Sequence, residues 1–360
     1  MVSAIAAILV LGLLVVVHEL GHLLVARWSG VRILRFSVGF GPRLLTWTRG
    51  FTEYAISAIP LGGYVKMAGE QRSEETAEPW DYLSKSVGTR AKIVVAGPFV
   101  NYLVALVSLW CVFVLGYPEL LPVVGKVLED MPAQAAGLQN GDRIVSVGGR
   151  SVRTWEEMTK LIYQAPEQPL TFVIERGPAT QTLTVTPKAK AITNPLGRVT
   201  TVGLIGIAPK GTFASYRVGP IAAIGRTLKQ QSEWTTQTLL ALWSVFSGRL
   251  SMRDSMTGPI GILYLTSEAV RMGFTPLLYL VSLFSLSLAL FNVFPIPILD
   301  GGHLFFLLLE KLRGKPVSIN VQERSAQVSF VLLMTFVLIV CVNDVHRFGL
   351  LEKLSGWIHR

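Results

Sequence analysis

The sequence predicts a polytopic α-helical membrane protein with four transmembrane helices and a small β-rich domain between the second and third. Three observations predict this fold class. Of the 360 residues, 51% are hydrophobic and only 16% are charged, whereas charged residues make up about 25% of an ordinary soluble domain. The mean hydropathy is +0.49. Four apolar segments each reach the ~20 residues that one crossing of a bilayer requires.

The four apolar segments lie in both halves of the chain. The predicted spans are 1–26, 93–116, 276–299 and 325–345. We interpret the first as a retained helix and not as a signal peptide, because residues 1–17 contain no Lys or Arg and no A-x-A cleavage site follows. The two cysteines, Cys111 and Cys341, lie within apolar runs and do not indicate a disulfide framework.

Positive charge sets the predicted orientation. Residues 27–92 hold ten Lys and Arg, and the connector 311–324 holds four more. The positive-inside rule places both segments in the cytoplasm. Residues 117–275 and both termini are therefore predicted to face outward. Because such loops account for the net charge of +10, we expect no nucleic-acid partner.

The segments between the spans differ in composition. Residues 27–92 contain short β-branched and aromatic runs punctuated by Gly and Pro, which predict a β-hairpin followed by a polar linker. Residues 117–190 alternate strand patterns with two short helical patterns and predict a small β-rich domain. Residues 191–275 contain a basic, Trp-bearing helical pattern, which predicts an amphipathic helix at the outer membrane interface.

The first span contains an ionisable cluster, His18-Glu19-x-x-His22. At about 100° per residue, the three side chains share one helix face. Two imidazoles one turn apart can bind a zinc ion, and the adjacent carboxylate can take a proton from its water. A carboxylate costs a few kcal/mol or more inside lipid, so a chance match is improbable. The alternative is a His/Glu cluster that neighbouring helices satisfy.

Zinc requires a third protein ligand and one open position. His18 lies roughly 22 Å along its helix, toward the cytoplasmic edge of a ~30 Å core. Asp300 follows the third predicted span at the same depth and is the best candidate, with His303 as a competitor. Asp344 is excluded as a zinc ligand because it lies at the outer end of the fourth span, on the opposite side of the membrane core. Asn292 either hydrogen-bonds a neighbouring helix or holds substrate backbone near the zinc.

These motifs together resemble the site-2 protease family of intramembrane zinc metalloproteases, in particular its bacterial regulator of sigma-E protease group. The likeness covers nearly the whole chain. It is carried by HELGH in the first span, AGPFVN in the second, and NVFPIPILDGG at 292–302. AAGLQNGDRIVSVGG, at 135–149, resembles the strand-and-turn signature of PDZ domains in this family.

The resemblance implies a fold, a reaction and a set of site residues. His18, His22 and Asp300 match the family's ligands to one zinc ion, Glu19 its catalytic glutamate, and Asn292 its substrate-contacting asparagine. Residues 36–67 match a membrane-associated β-hairpin, and 117–190 an extracytoplasmic PDZ-like α+β domain. One departure is that we find one PDZ-like segment, whereas the best-known enteric member has two in tandem.

The implied function is intramembrane hydrolysis of peptide bonds within transmembrane segments, in the bacterial inner membrane. The implied substrates are membrane-anchored anti-sigma factor-type regulators, remnant signal peptides, or both, with peptide ends binding at the PDZ-like domain. Two alternatives from other classes stay open at this point. They are a membrane metal transporter and a catalytically inactive PDZ-bearing scaffold.

Overall fold

Among the residues that the computed structural model describes, four helices are long and apolar enough to cross a membrane, which confirms that part of the predicted fold class. They are Ile5–Trp28, Val87–Leu115, Phe274–Val293 and Ile319–Val345. The structure describes residues 2–70, 78–193, 199–248 and 258–347. The chain divides into two compact units. One comprises 1–112, 224–239 and 252–360, and the other comprises 113–223 and 240–251.

The first unit combines helices with one curled β-sheet. Its helices are α1 (Val2–Trp28), α2 (Val87–Leu115), α6 (Pro259–Met272), α7 (Phe274–Val293), α8 (Asp300–Arg313) and α9 (Ile319–Arg347). Its strands are β1 (Ile33–Arg49) and β2 (Thr52–Met67). Helix α1 packs against both strands and against α6 and α7, so the first span lies among most of the other elements of this unit.

The segment predicted as a β-hairpin forms more than a simple hairpin. Residues 43–49 pair with 52–57 across the turn, as a hairpin would. Residues 35–38 have two partners at once, pairing with 53–56 on one side and 63–66 on the other. The two long strands therefore double back into a curled sheet in which the end of β2, residues 63–67, is an outer strand.

An apolar cluster joins this sheet to the C-terminal end of α1. It contains Leu23, Ala26, Val31, Ile33, Phe36, Met67 and Ile93, all of them buried. Burying the side chains larger than alanine contributes roughly 1.5–3 kcal/mol each. The sheet is thereby fixed to the helix that carries the His-Glu motif.

The third apolar segment is shorter as a helix than the predicted span 276–299. Helix α7 ends at Val293, and Phe294 is extended. Pro295 and Pro297 follow, and proline lacks the N–H that a continuing helix needs. Asp300 then opens the separate helix α8. A side chain at Gly301 would collide with the carbonyl oxygens of Val293 and Phe294, so glycine is required for α8 to start so close to α7.

The polar linker 70–90 is only partly described, since residues 71–77 lie outside the described ranges. The polar composition of this linker predicts a solvated segment, but part of the described remainder is buried. Asp81 and Arg90 are buried, and the Arg90 guanidinium donates to both carboxylate oxygens of Glu310, at 3.2 Å for one of them. This ion pair fixes the start of α2 to the last turn of α8.

The second unit is built from short strands and two short helices. Its strands are β3 (Tyr117–Leu120), β4 (Val124–Val127), β5 (Arg143–Val147), β6 (Arg150–Ser151), β7 (Leu170–Arg176), β8 (Ala179–Val185), β9 (Lys188–Thr193), β10 (Val199–Leu204), β11 (Ile207–Pro209) and β12 (Phe213–Tyr216). Its helices are α3 (Pro132–Ala135) and α4 (Trp155–Tyr163). Four strands form a sheet in the order β6-β5-β7-β8.

The core of this second unit is formed by alternating residues of its strands. Ile144, Phe172 and Ile174 are fully buried, and Met158 packs onto them from α4. Thr154 caps α4 by accepting a hydrogen bond from the Glu157 N–H, which satisfies one free amide of the first turn.

The predicted amphipathic helix is α5 (Pro220–Phe246). It begins later than the helical pattern, which starts near residue 213, because 213–216 form β12. Part of it, 224–239, belongs with the first unit. There the Tyr102 hydroxyl lies 3.2 Å from the Thr235 hydroxyl, and Trp234 packs edge-on against Tyr279. Ile224 and Leu228 are exposed, which is typical of a lipid-facing surface.

Candidate metal centre

Three side chains converge where α1 meets the start of α8. His18 and His22 lie one turn apart on α1, with their Nε2 atoms 3.1 Å from each other. The Asp300 Oδ2 atom lies 2.9 Å from His18 Nε2 and 3.4 Å from His22 Nε2. Two ligands of a tetrahedral zinc ion at about 2.0–2.1 Å are roughly 3.3 Å apart. The observed separations match that spacing.

The hydrogen bonds around these atoms leave electron pairs facing one another. His22 Nδ1 donates to the Ile93 carbonyl oxygen at 2.8 Å, so its Nε2 carries a lone pair. Asp300 Oδ2 is buried and makes no well-directed hydrogen bond among the described residues, although both rings are close. Electron-rich atoms this close together repel unless a proton or a metal cation lies between them. The donor set, two imidazoles and a carboxylate, therefore fits a zinc ion with one position left open.

Helix α2 leaves space over this cluster. A Cβ atom at Gly97 would lie 2.7 Å from His18 Nε2 and still closer to His22 Nε2. Gly21 likewise permits α1 to approach α2, because its Cβ would lie 2.5 Å from the Ala96 carbonyl oxygen. The absence of a side chain at Gly97 leaves the room that an ion or its fourth ligand requires.

Glu19 lies beside the cluster and not within it. Its carboxylate reaches the backbone of Val65, and its side chain passes alongside Gly63. Both contacts are with the outer strand of the curled sheet. Glu19, His22 and Asp300 line one cavity of about 490 Å³, so water that enters this cavity has access to both the carboxylate and the metal position.

The remaining polar candidates occupy other positions. His303 is exposed, one turn beyond Asp300, and lines the cavity without joining the three converging ligands. Asn292 is half-buried in the last turn of α7. Asp344 is fully buried and accepts hydrogen bonds from the N–H groups of Gly258 and Gly261, at 3.2 and 2.8 Å. It therefore caps α6, a structural role.

Two residues of the second span, Gly97 and Asn101, contact the cluster without having been predicted as site residues. The Asn101 side-chain nitrogen lies 3.3 Å from His18 Nδ1. Both belong to AGPFVN, a motif that carried the family resemblance. A glycine and an amide one turn apart are unusual in an apolar helix and could have marked these two positions. The sequence does not show which neighbouring helix they face.

Comparison with known proteins decides the family. Residues 6–336 match Peptidase family M50. The chain belongs to this family. It is an intramembrane zinc metalloprotease, and the family does not favour the transporter or inactive-scaffold alternatives. The M50 protease spans nearly the whole length of the curated relatives it matches.

Three relatives illustrate the similarity. The regulator of sigma-E protease RseP of Salmonella typhimurium is 30% identical, covering 95% of this chain and 98% of that protein. The zinc metalloprotease RasP of Geobacillus kaustophilus is 29% identical, covering 97% and 99%. A candidate zinc metalloprotease of Rhizobium meliloti is 37% identical, covering 93% and 94%. These names accord with zinc chemistry and with a bacterial inner-membrane protein.

Among solved structures, the PDZ domain of an SdrC-like protein from Listeria monocytogenes aligns with 26% of the M50 protease and 88% of its own length. It is 22% identical, with a TM-score of 0.19. A score this low carries no argument. The PDZ-like character of 117–190 therefore stays a prediction.

Proposed function

We propose that His18, His22 and Asp300 hold one zinc ion and that Glu19 is the general base of peptide-bond hydrolysis. The observation that carries this proposal is the convergence of the three ligand atoms within 4.8 Å of one another, with Glu19 in the same cavity. When bound, zinc lowers the pKa of a coordinated water to about 7 and polarises a carbonyl group. Glu19 accepts the proton of the attacking water and delivers it to the leaving amine nitrogen.

The cost of exposing a peptide bond in lipid explains the sheet beside Glu19. An unwound transmembrane segment has free N–H and C=O groups, each costing several kcal/mol without partners. Residues 63–67 form an outer strand whose described ladder runs on the side of 35–38. A substrate strand added to the other side gains those partners next to the Glu19 carboxylate. Asn292 holds substrate backbone near the metal.

The substrates in this proposal are single-pass membrane proteins of the anti-sigma factor type, remnant signal peptides, or both. The name of the Salmonella relative, a regulator of sigma-E protease, supports the first class. Residues 117–190 are a PDZ-like domain on the extracytoplasmic side that binds peptide ends. The basic segments 27–92 and 311–324 support a cytoplasmic position for the cavity.

The test separates metal binding from proton transfer. We expect purified Glu19→Gln to retain zinc and to lose at least a hundredfold in cleavage rate on a transmembrane peptide, because the amide cannot accept a proton. His18→Ala is expected to lose both zinc and cleavage. Zinc content is measured by elemental analysis and cleavage by mass spectrometry of the products.

Glu268→Gln is the matched control. Glu268 lies on the surface of α6, so its variant should retain both properties. Unchanged cleavage by Glu19→Gln with zinc in place would disprove the assignment of the base. Full zinc content in His18→Ala would disprove the assignment of the metal site.

A further inference from the structure

Asn101 is an isolated amide within the apolar helix α2. Its side chain is fully buried. The carboxamide nitrogen lies 3.3 Å from His18 Nδ1, and the carboxamide oxygen is buried without a hydrogen-bond partner among the described residues. Burying an unpaired amide oxygen in an apolar helix is costly. The position therefore calls for a reason other than packing.

The chemistry of the neighbouring histidine supplies that reason. For His18 Nε2 to bind a metal ion it must carry a lone pair, so the ring proton must lie on Nδ1 and needs an acceptor. His22 has the Ile93 carbonyl oxygen in this role. Asn101 is the polar side chain that the structure places at Nδ1 of His18. A half-turn of its carboxamide, whose two ends are nearly equal in size, brings the oxygen opposite Nδ1.

We propose that Asn101 is a positioning residue for the metal centre, accepting the Nδ1–H of His18 through its carboxamide oxygen when Nε2 binds the ion. In the metal-free protein the opposite orientation, with the amide N–H donating to Nδ1, lets Nε2–H donate to Asp300. The amide thus has one partner in each state. This inference rests on the proposed role of His18 as a metal ligand.

Hydrogen bonds from α7 reach this part of α2, one at Asn101 itself and one at the following turn. The Ser285 hydroxyl donates to the Asn101 carbonyl oxygen at 2.8 Å, and the Ser282 hydroxyl donates to the Ala105 carbonyl oxygen at 2.8 Å. Both serines are fully buried. Helix α7 leads directly to the turn before Asp300. Asn101, which orients His18, is therefore hydrogen-bonded to the helix that leads to Asp300.

The zinc dissociation constant is the readout that tests this role, measured on full-length protein in detergent by competition with a chelator. Asn101→Leu keeps a similar shape and removes the hydrogen bond, and we expect a ten- to hundredfold weaker zinc complex. Asn101→Asp is an acceptor only, and we expect an affinity within a few-fold of the natural protein, because Nδ1–H and the ion together neutralise the carboxylate. Asn101→Ala repeats the deletion should the leucine variant not fold.

Ser282→Ala is the matched control, because it removes a buried hydrogen bond to α2 one turn from Asn101. We expect its zinc affinity to be unchanged. If Asn101 had only a structural role, the zinc affinities of the two variants would rank in the opposite order. Leucine would then retain zinc, and aspartate, an unpaired charge in an apolar helix, would lose it.

Either unchanged affinity in Asn101→Leu or equal loss in Asn101→Leu and Asn101→Asp overturns the proposal. His18→Ala distinguishes this failure from failure of the metal site. If His18→Ala loses zinc while the Asn101 variants keep their zinc affinity, the positioning role is wrong and the metal site stands.

Discussion

Single residues of the second span determine how much room the proposed metal centre has. Gly97 lies over the two imidazoles, and Asn101, one turn later, contacts one of them. Neither can act as a strong metal ligand, yet both limit what the histidines can do. The geometry of the centre therefore depends on α2 as well as on the helices that carry the converging side chains.

Gly97→Ala should damage the metal centre. The added Cβ would lie 2.7 Å from His18 Nε2, so one imidazole or the helix must move. We expect zinc affinity to fall at least about tenfold, since displaced ligands lose optimal geometry. Zinc competition with a chelator measures the effect.

Gly88→Ala is the control for the glycine prediction. Gly88 lies in the same helix, and nothing would lie within 4 Å of its Cβ. Alanine is also a better helix former than glycine. This variant should keep zinc affinity and stability. Unaltered zinc binding in Gly97→Ala would show that the space over the histidines is not needed.

At this scale the sequence predicts the residues whose spacing is local. Helical periodicity brings His18, Glu19 and His22 to one face, and a depth count leads to Asp300. The sequence cannot predict that Asn101 faces His18 or that Asp344 caps α6. Such contacts depend on the rotation of one helix against another, which a near-uniform apolar surface does not encode.

Among the elements, the curled sheet departs most from prediction. The Gly and Pro punctuation of 32–67 predicts two strands and a turn, and both strands form. The second set of pairs, between 35–38 and 63–66, is a tertiary contact that no turn signal specifies. The early end of α7 follows from the sequence, because Pro295 and Pro297 interrupt the apolar run and cannot continue a helix.

In the second unit, one buried carboxylate joins a turn to a strand. Asp142 is almost fully buried, accepts the Gln139 N–H at 2.8 Å, and accepts two N–H groups of Arg176 at 2.8 Å each. Burial alone would raise the pKa of Asp142, but the Arg176 and Gln139 hydrogen bonds outweigh burial and hold the pKa below its ordinary value. In the unfolded chain this carboxyl binds a proton more readily.

The second unit should therefore lose stability in acid. The contribution of Asp142 is complete above its unfolded pKa of about 3.9 and declines as the pH falls through the lower folded pKa. Asp142→Asn should cost about 2–3 kcal/mol at pH 7 and flatten the acid dependence below about pH 4. Hydrogen exchange of β5 and β7 in the full-length protein, at neutral and acid pH, measures both effects.

A neighbouring exposed ion pair provides the control for Asp142. The Arg143 guanidinium lies 3.5 Å from the Glu175 carboxylate, with both side chains about half exposed. Exposed pairs of this kind contribute about 0–1 kcal/mol, so Glu175→Gln should change exchange little. Equal protection in Asp142→Asn and the natural protein would contradict the assigned role of Asp142.

For the whole molecule, the number of spans and the family follow from the sequence, whereas orientation stays a prediction from charge. Composition predicts four spans because the requirement for ~20 apolar residues is a property of each segment alone. The division of α5 between the two units was not predictable. Its exposed Ile224 and Leu228 and its buried Gln231 depend on which side of the helix faces lipid.

Orientation can be measured with a membrane-impermeant maleimide. We expect Lys315→Cys, in the basic connector, to react from the cytoplasmic face, and Gln181→Cys, in β8, to react from the opposite face. Both positions are exposed. Labelling is compared in spheroplasts and inverted vesicles, on a background lacking Cys111 and Cys341. Reaction of both positions from the same face would contradict the predicted topology.

The turn at Pro295 and Pro297 also separates the converging side chains in the order of their synthesis. Two of the three converging side chains leave the ribosome with the first helix, while Asp300 follows only when α8 is made. A partly synthesised chain therefore holds two imidazoles and no carboxylate to complete the set. With Asp300 as the third zinc ligand proposed above, the early helices insert while the protein is still inert, and cleavage becomes possible only once α8 has been made.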